Sequence, residues 1–559
     1  MKRLTSVVAL VGVVGVVTAA FAATTTASAA VRGVASAHAA SASAGISWGQ
    51  CSESDLQAAG AQCGYLSVPL NYSDPDGPQI KLAVSRIEHT SSLRDYQGVI
   101  LTNPGGPGGE GLDLNTFLIP VLQQEGFNAA ADDYDWIGFD PRGVGSSIPA
   151  ISCDPYYLGP DRPNYVASTP GLFNIWLSRS KTYAQDCASA GPLQDELLQN
   201  MTTRDNALDM DSIRKALGQK QITYYGFSWG TDLGQVYATM FPTHVRRLIL
   251  DSNVNPLKDG YQDFNLDQDI PFNRNDDIWF AWLAKYNDVY HLGATEQAVQ
   301  NQFYETESQL AAKPVGGIVG PDEWTDMFLE PGYYEETWVE YAQVFSDWVN
   351  EHNAAAAAQL IQTYRAVDAP GNDNEFAVYL SVLCTDSKWP TNPSVWDQDT
   401  SAIYDVAPLE AWGNTWFNAP CIYWPAPPQP HFTVNGDKVR SALLIDETLD
   451  AATPFEGSLT VRRLFPHSVL LAEPGGTSHA DSLFGDLCVD GTIARYLETG
   501  ALPARKPDAP WDKTCAPLPK PVPPSSTASA QAAQTSAAEA LVRLGRPASS
   551  VRLPAVKVG

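Results

Sequence analysis

A serine flanked by glycines carries the strongest chemical signal in the sequence. Gly226-Phe227-Ser228-Trp229-Gly230 matches the pattern G-x-S-x-G. The motif lies at the end of the apolar run ITYYGF, which is typical of a buried strand, and a segment with helical character follows it. A serine on a sharp strand-to-helix turn is exposed for nucleophilic attack, and glycines two residues away on either side give the turn room. The sequence therefore predicts that Ser228 is a nucleophile.

A nucleophilic serine needs a base that removes its proton and an acid that orients this base. On such a turn the expected chain order is serine, acid, histidine. His479 lies in the Gly-rich segment EPGGTSHADS, directly after the apolar run SVLLAE, and this position suits an exposed base. His431 and His467 are the alternatives, but the first precedes a strand pattern and the second begins one, where a structural role is expected.

The segment LLIDETLDAATP supplies the candidates for the acid. Asp446, Glu447 and Asp450 all lie at or beyond the end of an apolar strand. We expect Asp450 to be the acid, because a loop position after the strand lets a carboxylate reach the imidazole. Asp446 remains the alternative, and an ordinary surface carboxylate is the competing interpretation.

Acyl transfer also needs backbone N–H groups that stabilise an oxyanion. One donor normally follows the nucleophile, and the other comes from the loop after an earlier strand. Here that loop reads NPGGPGG over residues 103–109. We expect Gly106 and Trp229 to supply the donors, with Gly105 as an alternative. A flexible turn is the competing interpretation, whereas a phosphate-binding loop would end in Lys-Ser/Thr.

The elements that position these residues alternate between strand and helix. YLSVPLNY and IKLAVSRI predict an antiparallel pair, and GVILTNP and DWIGFDPRG predict two further strands. Residues 202–217 carry apolar side chains at helical spacing before Gly218, and RLILDSNV predicts a strand after the nucleophile helix. SALLID and SVLLAE continue the pattern towards the C-terminus. This alternation predicts an α/β fold with a mostly parallel central sheet between two layers of helices.

The alternation is interrupted between residues 256 and 437. Aromatic segments with helical character, such as DIWFAWLAKY, prevail there. We interpret this region as an inserted, mainly helical cap domain that shapes access to the site. The predicted catalytic core then comprises residues 47–255 and 438–516. Residues 30–46 and 517–559 are rich in Ala, Ser and Pro, and we expect them to be weakly ordered.

The first residues predict export. Lys2 and Arg3 precede an apolar run, and Ala27-Ser28-Ala29 suits a signal peptidase, so residues 1–29 are interpreted as a signal peptide. We expect a secreted, extracellular protein without stable membrane association. The net charge of −28 argues against nucleic-acid binding, which needs a basic surface. The sequence does not indicate an oligomeric state.

Eight cysteines in an exported chain predict four disulfides. Their spacing suggests that neighbours in sequence pair, although eight cysteines allow about 105 connectivities. Since they lack C-x-x-C spacing, we expect no metal site, and we expect no cofactor. The suggested pairs are Cys51 with Cys63, Cys153 with Cys187, Cys384 with Cys421, and Cys488 with Cys515.

Taken together, these motifs resemble the secreted actinobacterial tripeptidyl aminopeptidases, which are relatives of proline iminopeptidase in the α/β-hydrolase superfamily. The resemblance covers most of residues 50–516. NPGGPGG resembles that family's oxyanion loop, and LDAATPFEGS and GGTSHA resemble its acid and base segments, which map onto Asp450 and His479. The resemblance implies an α/β-hydrolase fold with a cap. It also implies the release of short peptides from free N-termini through an acyl-enzyme, with tripeptides as the expected product.

An exopeptidase must also bind the substrate ammonium, for which buried carboxylates are well suited. Glu110 beside the oxyanion loop and Glu335 and Glu336 in the cap are candidates, with surface solvation as the alternative for each. The same triad would also serve a secreted esterase or another acyl hydrolase. A binding protein that keeps the fold without catalysis is the third hypothesis, and the intact Ser-Asp-His set argues against it.

Overall fold

The computed structural model describes residues 45–524, apart from residues 161, 192 and 193. The predicted signal peptide lies outside the described residues, as do most of the Ala/Ser-rich segment and of the C-terminal tail. Among the described residues, no helix combines the length and the apolar character that a membrane span requires.

One sheet of ten strands runs through the described part of the chain. The strands are β1 (Gly49–Gln50), β2 (Gln62–Pro69), β3 (Gln79–Ile87), β4 (Val99–Asn103), β5 (Asp135–Phe139), β6 (Ile222–Phe227), β7 (Val245–Asp251), β8 (Ala442–Glu447), β9 (Ser468–Glu473) and β10 (Lys513–Thr514). Their spatial order is β1-β2-β3-β5-β4-β6-β7-β8-β9-β10. The pairs β1–β2, β2–β3 and β3–β5 are antiparallel, and the pairs from β5 to β10 are parallel. The prediction of a mostly parallel sheet is confirmed.

Helices connect and cover these strands. In chain order they are α1 (Ser54–Ala58), α2 (Asn115–Gln124), α3 (Asn128–Asp132), α4 (Pro170–Ser189), α5 (Gln194–Leu198), α6 (Thr203–Ala216), α7 (Trp229–Met240), α8 (Gly260–Asn265), α9 (Asp269–Lys285), α10 (Asn287–Tyr290), α11 (Glu296–Ala312), α12 (Pro321–Met327), α13 (Glu330–Tyr333), α14 (Trp338–Glu351), α15 (Ala354–Val367), α16 (Asn374–Asp386), α17 (Pro393–Tyr404), α18 (Ala411–Asn418), α19 (Glu456–Leu464) and α20 (Leu487–Thr499). Two 3-10 helices span Glu335–Thr337 and Ala419–Tyr423.

The sheet is buried on both faces. Because successive side chains of a strand point to opposite sides, Tyr224 of β6 lies in one apolar cluster and Tyr225 lies in the other. The first cluster includes residues of α6 and α7, and the second includes residues of α2 and α20. The apolar runs predicted as strands are therefore the centre of a three-layer core, as burial on both faces of a parallel sheet requires.

The boundaries of α6 follow from its capping residues. Thr202 Oγ1 accepts a hydrogen bond from Asp205 N at 3.1 Å, and the Asp205 carboxylate accepts one from Thr202 N at 3.2 Å. This reciprocal pair satisfies donors at the helix start that lack intrahelical partners. Gly218 follows the helix with φ 68°, which favours glycine. The helix predicted over residues 202–217 is confirmed.

Helices α8 to α18 and the two 3-10 helices lie between β7 and β8 in the chain. Part of this region has its own aromatic core, which includes Trp279, Phe303, Trp324, Phe328 and Phe345. Helix α4 precedes β6, yet it packs against the 3-10 helix Ala419–Tyr423, and the rings of Trp176 and Trp416 stack at 5.6 Å. A segment that we assigned to the first part of the core thus also packs with the helical insertion.

Four disulfides join the described cysteines, and the suggested pairing of sequence neighbours is confirmed. Cys384–Cys421 links α16 to the second 3-10 helix, and Cys488–Cys515 links α20 to the residue after β10. The other two bonds are Cys51–Cys63 and Cys153–Cys187.

Candidate active site

Ser228 occupies the turn between β6 and α7. Its backbone has φ 56° and ψ −129°, a combination that is rare for residues other than glycine. A Cβ atom on Gly226 would lie 2.3 Å from the carbonyl oxygen of Gly230, and one on Gly230 would lie 2.8 Å from that of Asn103. The two glycines of the motif therefore make room for a turn that presents the serine at the end of the strand.

Asp450 and His479 are in direct contact. His479 Nδ1 lies 2.8 Å from Asp450 Oδ2, and both side chains are buried. Asp450 also accepts hydrogen bonds from Thr453 N at 3.0 Å and from Thr453 Oγ1 at 2.8 Å. A proton on Nδ1 that faces the carboxylate leaves Nε2 with its lone pair, which is the tautomer a general base needs.

The alternative acid and bases lie elsewhere. Asp446 Oδ2 accepts a hydrogen bond from Ser458 Oγ at 2.5 Å, and burial together with Asp450 raises the pKa of Asp446 well above its ordinary value. His431 Nε2 donates to the carbonyl oxygen of Pro256 at 3.0 Å, and His467 is exposed. The structure therefore brings Asp450 to His479 and gives the other candidates different surroundings.

The glycine-rich loop after β4 approaches the serine closely. A Cβ atom on Gly105 would lie 2.8 Å from Ser228 Cβ and 3.1 Å from Trp229 N. The N–H group of Gly105 donates to Asn103 Oδ1 at 3.0 Å, which favours Gly106 over Gly105 as a donor to substrate. Trp229 is the first residue of α7, so its N–H group has no acceptor within the helix. Gly106 and Trp229 are thus the pair of donors that the geometry favours.

The helical insertion between β7 and β8, which we call the cap, bonds to the loop that carries His479. The backbone N–H of His479 donates to the carbonyl oxygen of Tyr333 at 2.9 Å. Thr477 Oγ1 donates to Glu335 Oε1 at 2.7 Å, and Glu335 N donates to Ser478 Oγ at 3.2 Å. Three consecutive loop residues therefore bond to the last residue of α13 or to the first residue of the 3-10 helix that follows it.

Ser228 and His479 line one cavity of about 390 Å³. The glycine-rich loop after β4, Phe227 and residues of the helical insertion also line it. Its volume lies in the range of about 300–1,000 Å³ that is typical of small-molecule sites. The insertion contributes, among others, Phe264, Leu329, Tyr333, Phe376, Tyr379, Glu410 and Phe417.

Comparison with known proteins agrees with this architecture. A family profile described as alpha/beta hydrolase fold matches residues 98–402, and one described as TAP-like protein matches residues 407–515. A tripeptidyl aminopeptidase of Streptomyces coelicolor is 38% identical over 500 residues, which cover 88% of this chain and 90% of that protein. The chain belongs to the tripeptidyl aminopeptidase family of α/β hydrolases.

Other relatives carry different names. Serine protease Hip1 of Mycobacterium tuberculosis is 30% identical, with 82% of this chain and 89% of that protein covered. Carboxylesterase B of the same bacterium is 29% identical, with 84% and 90% covered. Membership in the tripeptidyl aminopeptidase family makes this chain a serine hydrolase, as the sequence analysis predicted.

The three carboxylates that sequence analysis offered for ammonium binding occupy different places. Glu110 lines the cavity, and burial together with Asp113 raises its pKa. Glu335 and Glu336 are not among the described residues that line it. Glu335 bonds to Thr477 and pairs with Lys520 at 3.9 Å, and burial raises the pKa of Glu336 to about 7.

Glu410 is a cavity acid that the tripeptidyl aminopeptidase resemblance did not indicate. Its side chain is 9% exposed, and Oε2 is buried without a hydrogen-bond partner among the described residues. Burial and the nearby carboxylates of Asp269 and Asp326 raise its pKa well above the ordinary value. Asp326 and Asp368 also line the cavity, but both pair with Arg162, at 2.7 and 2.8 Å. Glu410 lies in the segment PLEAWGNTWF, which has no motif that distinguishes it from other acids.

Proposed function

We propose that this protein is a secreted serine exopeptidase that releases short peptides, with tripeptides as the expected product, from free N-termini. The observation that carries the proposal is the 2.8 Å contact between Asp450 Oδ2 and His479 Nδ1 at a cavity that Ser228 also lines. The relationship to the Streptomyces tripeptidyl aminopeptidase supports the choice of peptide substrates. Secretion is supported by the four disulfides, which form in oxidising compartments.

In the proposed mechanism, His479 Nε2 removes the proton from Ser228 Oγ as this oxygen attacks the scissile carbonyl carbon. The N–H groups of Gly106 and Trp229 stabilise the resulting oxyanion, and Asp450 stabilises the imidazolium. His479 then gives its proton to the leaving amine, which departs and leaves an ester on Ser228. Water, activated by His479, hydrolyses this acyl-enzyme and releases the peptide.

Recognition of the free N-terminus is assigned to carboxylates of the cavity wall. Glu410 is the first candidate, because its buried Oε2 lacks a donor within the described residues, and an ammonium group would supply one. Glu110 is the second, since it lines the same cavity beside the oxyanion loop. An ammonium group held by one of these acids would fix the distance from the substrate N-terminus to Ser228, which lines the same cavity, and this favours release of short peptides over internal cleavage.

The test is hydrolysis of peptide p-nitroanilides of one to four residues, each with a free and an acetylated N-terminus. We expect the mature protein to cleave the free tripeptide best and the acetylated peptides poorly. Ser228→Ala should abolish turnover, whereas Ser92→Ala, at an exposed serine, should not change it. Equal cleavage of free and acetylated peptides would contradict the exopeptidase proposal. Unchanged turnover by Ser228→Ala would contradict the assignment of Ser228 as the nucleophile.

An esterase with the same triad is the second candidate function. It is favoured by the 29% identity to Carboxylesterase B and by the aromatic side chains that line the cavity. Serine-dependent turnover of p-nitrophenyl esters, without turnover of any peptide amide in the panel, would establish it. Failure with both substrate classes would favour a protein that binds without catalysis.

A further inference from the structure

Three buried carboxylates converge behind the loop that carries His479. Glu447 is the last residue of β8, Glu473 is the last residue of β9, and Asp481 lies two residues after His479. One carboxylate oxygen from each of the three lies within 4.8 Å of the other two. Their exposed fractions are 3%, 1% and 8%. Two neighbouring parallel strands and the catalytic loop thus each contribute one acidic group to the same buried place.

The carboxylate of Glu473 receives no hydrogen bond from an N–H group or a hydroxyl of the described residues, and the side chain that interacts with it there is another acid, Asp486. Both of its oxygens are buried without a hydrogen-bond partner there, although one of them points into the cluster. None of the ion pairs between described residues includes Glu447, Glu473 or Asp481. An ionised carboxylate in such a place needs a counter-charge, because burial of a charge without a partner is strongly unfavourable.

Other acidic side chains near Glu473 increase the need for a counter-charge. Asp251 and Asp486 lie near Glu473 and add further negative charge. Three carboxylates this close cannot all be ionised unless protons or a cation compensate them. Glu447 accepts a hydrogen bond from Ser478 N, so its carboxylate is already fixed to the residue before His479.

The geometry points to one Ca²⁺ ion bound by Glu447, Glu473 and Asp481. Calcium takes six to eight oxygen ligands at about 2.3–2.6 Å, so oxygens of one coordination sphere lie at most about 5 Å apart. The three oxygens meet this limit. Magnesium demands shorter bonds in a nearly ideal octahedron, which three carboxylates fixed on separate segments suit less well. Water and backbone oxygens would complete the coordination.

Such an ion would link the loop that carries His479 to the sheet. Asp481 belongs to the same loop as His479, whereas Glu447 and Glu473 belong to the rigid strand ends. The cap holds this loop from the other side through Tyr333 and Glu335. The site is structural and takes no part in acyl transfer, and it departs from our expectation of a protein without metal.

The test is calcium binding by the intact mature protein after treatment with EDTA and removal of the chelator. At pH 7.5, isothermal titration with CaCl₂ should give one saturable site with a Kd below about 1 mM, and MgCl₂ should bind more weakly. Addition of 5 mM CaCl₂ should raise Tm by at least about 2 °C, because the ion binds only the folded state.

Glu473→Gln should abolish both the saturable site and the shift in Tm, since the amide keeps the shape and loses the charge. Asp481→Asn provides a second variant if Glu473→Gln does not fold. Glu307→Gln, at a half-buried acid of α11, is the matched control and should respond to calcium like the wild type. Absence of saturable binding by the wild type, or an unchanged response in Glu473→Gln, would overturn the proposal and indicate that the carboxyl groups hold protons. Neither readout depends on turnover, so failure here is distinct from failure of the proposed function.

Discussion

Glu335 of the cap accepts a hydrogen bond from Thr477 Oγ1, two residues before His479, at 2.7 Å. The same carboxylate lies 3.9 Å from the ammonium group of Lys520, and Trp282 Nε1 donates to the carbonyl oxygen of Pro521 at 2.9 Å. Residues 520 and 521, in the segment that we expected to be weakly ordered, therefore contact the cap. The position of the proposed base thus depends on the cap as well as on the sheet.

Removal of the Thr477 hydroxyl tests this dependence. In Thr477→Val the loop loses its bond to Glu335, and a small displacement of an imidazole is costly for proton transfer. We expect kcat to fall about 5- to 50-fold with little change in KM, since part of the about 1.5–3 kcal/mol that a hydrogen bond to a charged group contributes is lost from the positioning of the imidazole. Thr499→Val, at an exposed threonine of α20, is the control. A wild-type kcat in Thr477→Val would show that the bond from Thr477 to Glu335 does not position His479.

The two aspartates near the end of β8 should respond very differently to substitution by asparagine. Asp450→Asn places an amide against His479 Nδ1 and favours the wrong tautomer, so kcat should fall by roughly 10³- to 10⁴-fold. Asp446→Asn should retain activity within about threefold, because a neutral side chain suits a buried group whose pKa is raised well above its ordinary value. Steady-state kinetics on the best free peptide measure both. A larger loss of kcat in Asp446→Asn than in Asp450→Asn would show that Asp446, and not Asp450, is the acid that orients His479.

Glu410→Gln tests recognition of the substrate ammonium. Loss of one charge-assisted hydrogen bond should raise KM for a free tripeptide anilide at least about tenfold. Turnover of a p-nitrophenyl ester that has no amino group should stay within about twofold of wild type. Glu307 is not among the described residues that line the cavity, so Glu307→Gln should change neither KM for the peptide nor turnover of the ester. Equal effects on the peptide and on the ester would mean that Glu410 shapes the cavity without binding the amine.

The parts of the fold that could be predicted are those specified by local pattern. Apolar runs such as ITYYGF and SVLLAE are typical of strands that are buried on both faces of a parallel sheet, and β6 and β9 are such strands. Ser228 was recognisable because the turn demands glycine at two fixed distances from it, and the close contacts at Gly226 and Gly230 show why. The disulfide pairs agree with the short separations between neighbouring cysteines in a chain that we expect to be exported.

Relationships between distant segments could not be predicted. Glu410 is one of 63 acidic residues, and its place in the cavity wall depends on how the helices of the insertion pack over β6. The assignment of Glu335 to substrate recognition failed to anticipate its bond to Thr477, 142 residues away in the chain. Likewise, α4 packs with the insertion through Trp176, whose stacking partner Trp416 no local pattern identifies.

We expect the free energy of unfolding to fall as the pH rises, because the cap contains buried acids with raised pKa values. Asp263 is the clearest case. It is 8% exposed, and burial together with Asp267 raises its pKa to about 7 from 3.8, against the opposing effect of Lys258. Ionisation therefore costs more free energy in the folded protein than in the unfolded chain. The contribution of Asp263 to stability is fully present below about pH 4 and is lost as the pH rises towards 7.

Asp263→Asn removes this titration and keeps an oxygen that can accept from Asn255 N. Between pH 5.5 and pH 8, the wild type should lose about 1–2 kcal/mol more of its unfolding free energy than the variant, since each pKa unit corresponds to about 1.4 kcal/mol. Urea denaturation at the two pH values measures the difference, and both lie above the isoelectric point of about 4.5, where a net negative charge favours solubility. Asp76→Asn, at an exposed aspartate, should follow the wild type. The unfolding free energies of wild type and Asp263→Asn could instead fall by the same amount. In that case ionisation of Asp263 costs the same free energy in the folded protein as in the unfolded chain, and its burial does not limit stability at neutral pH.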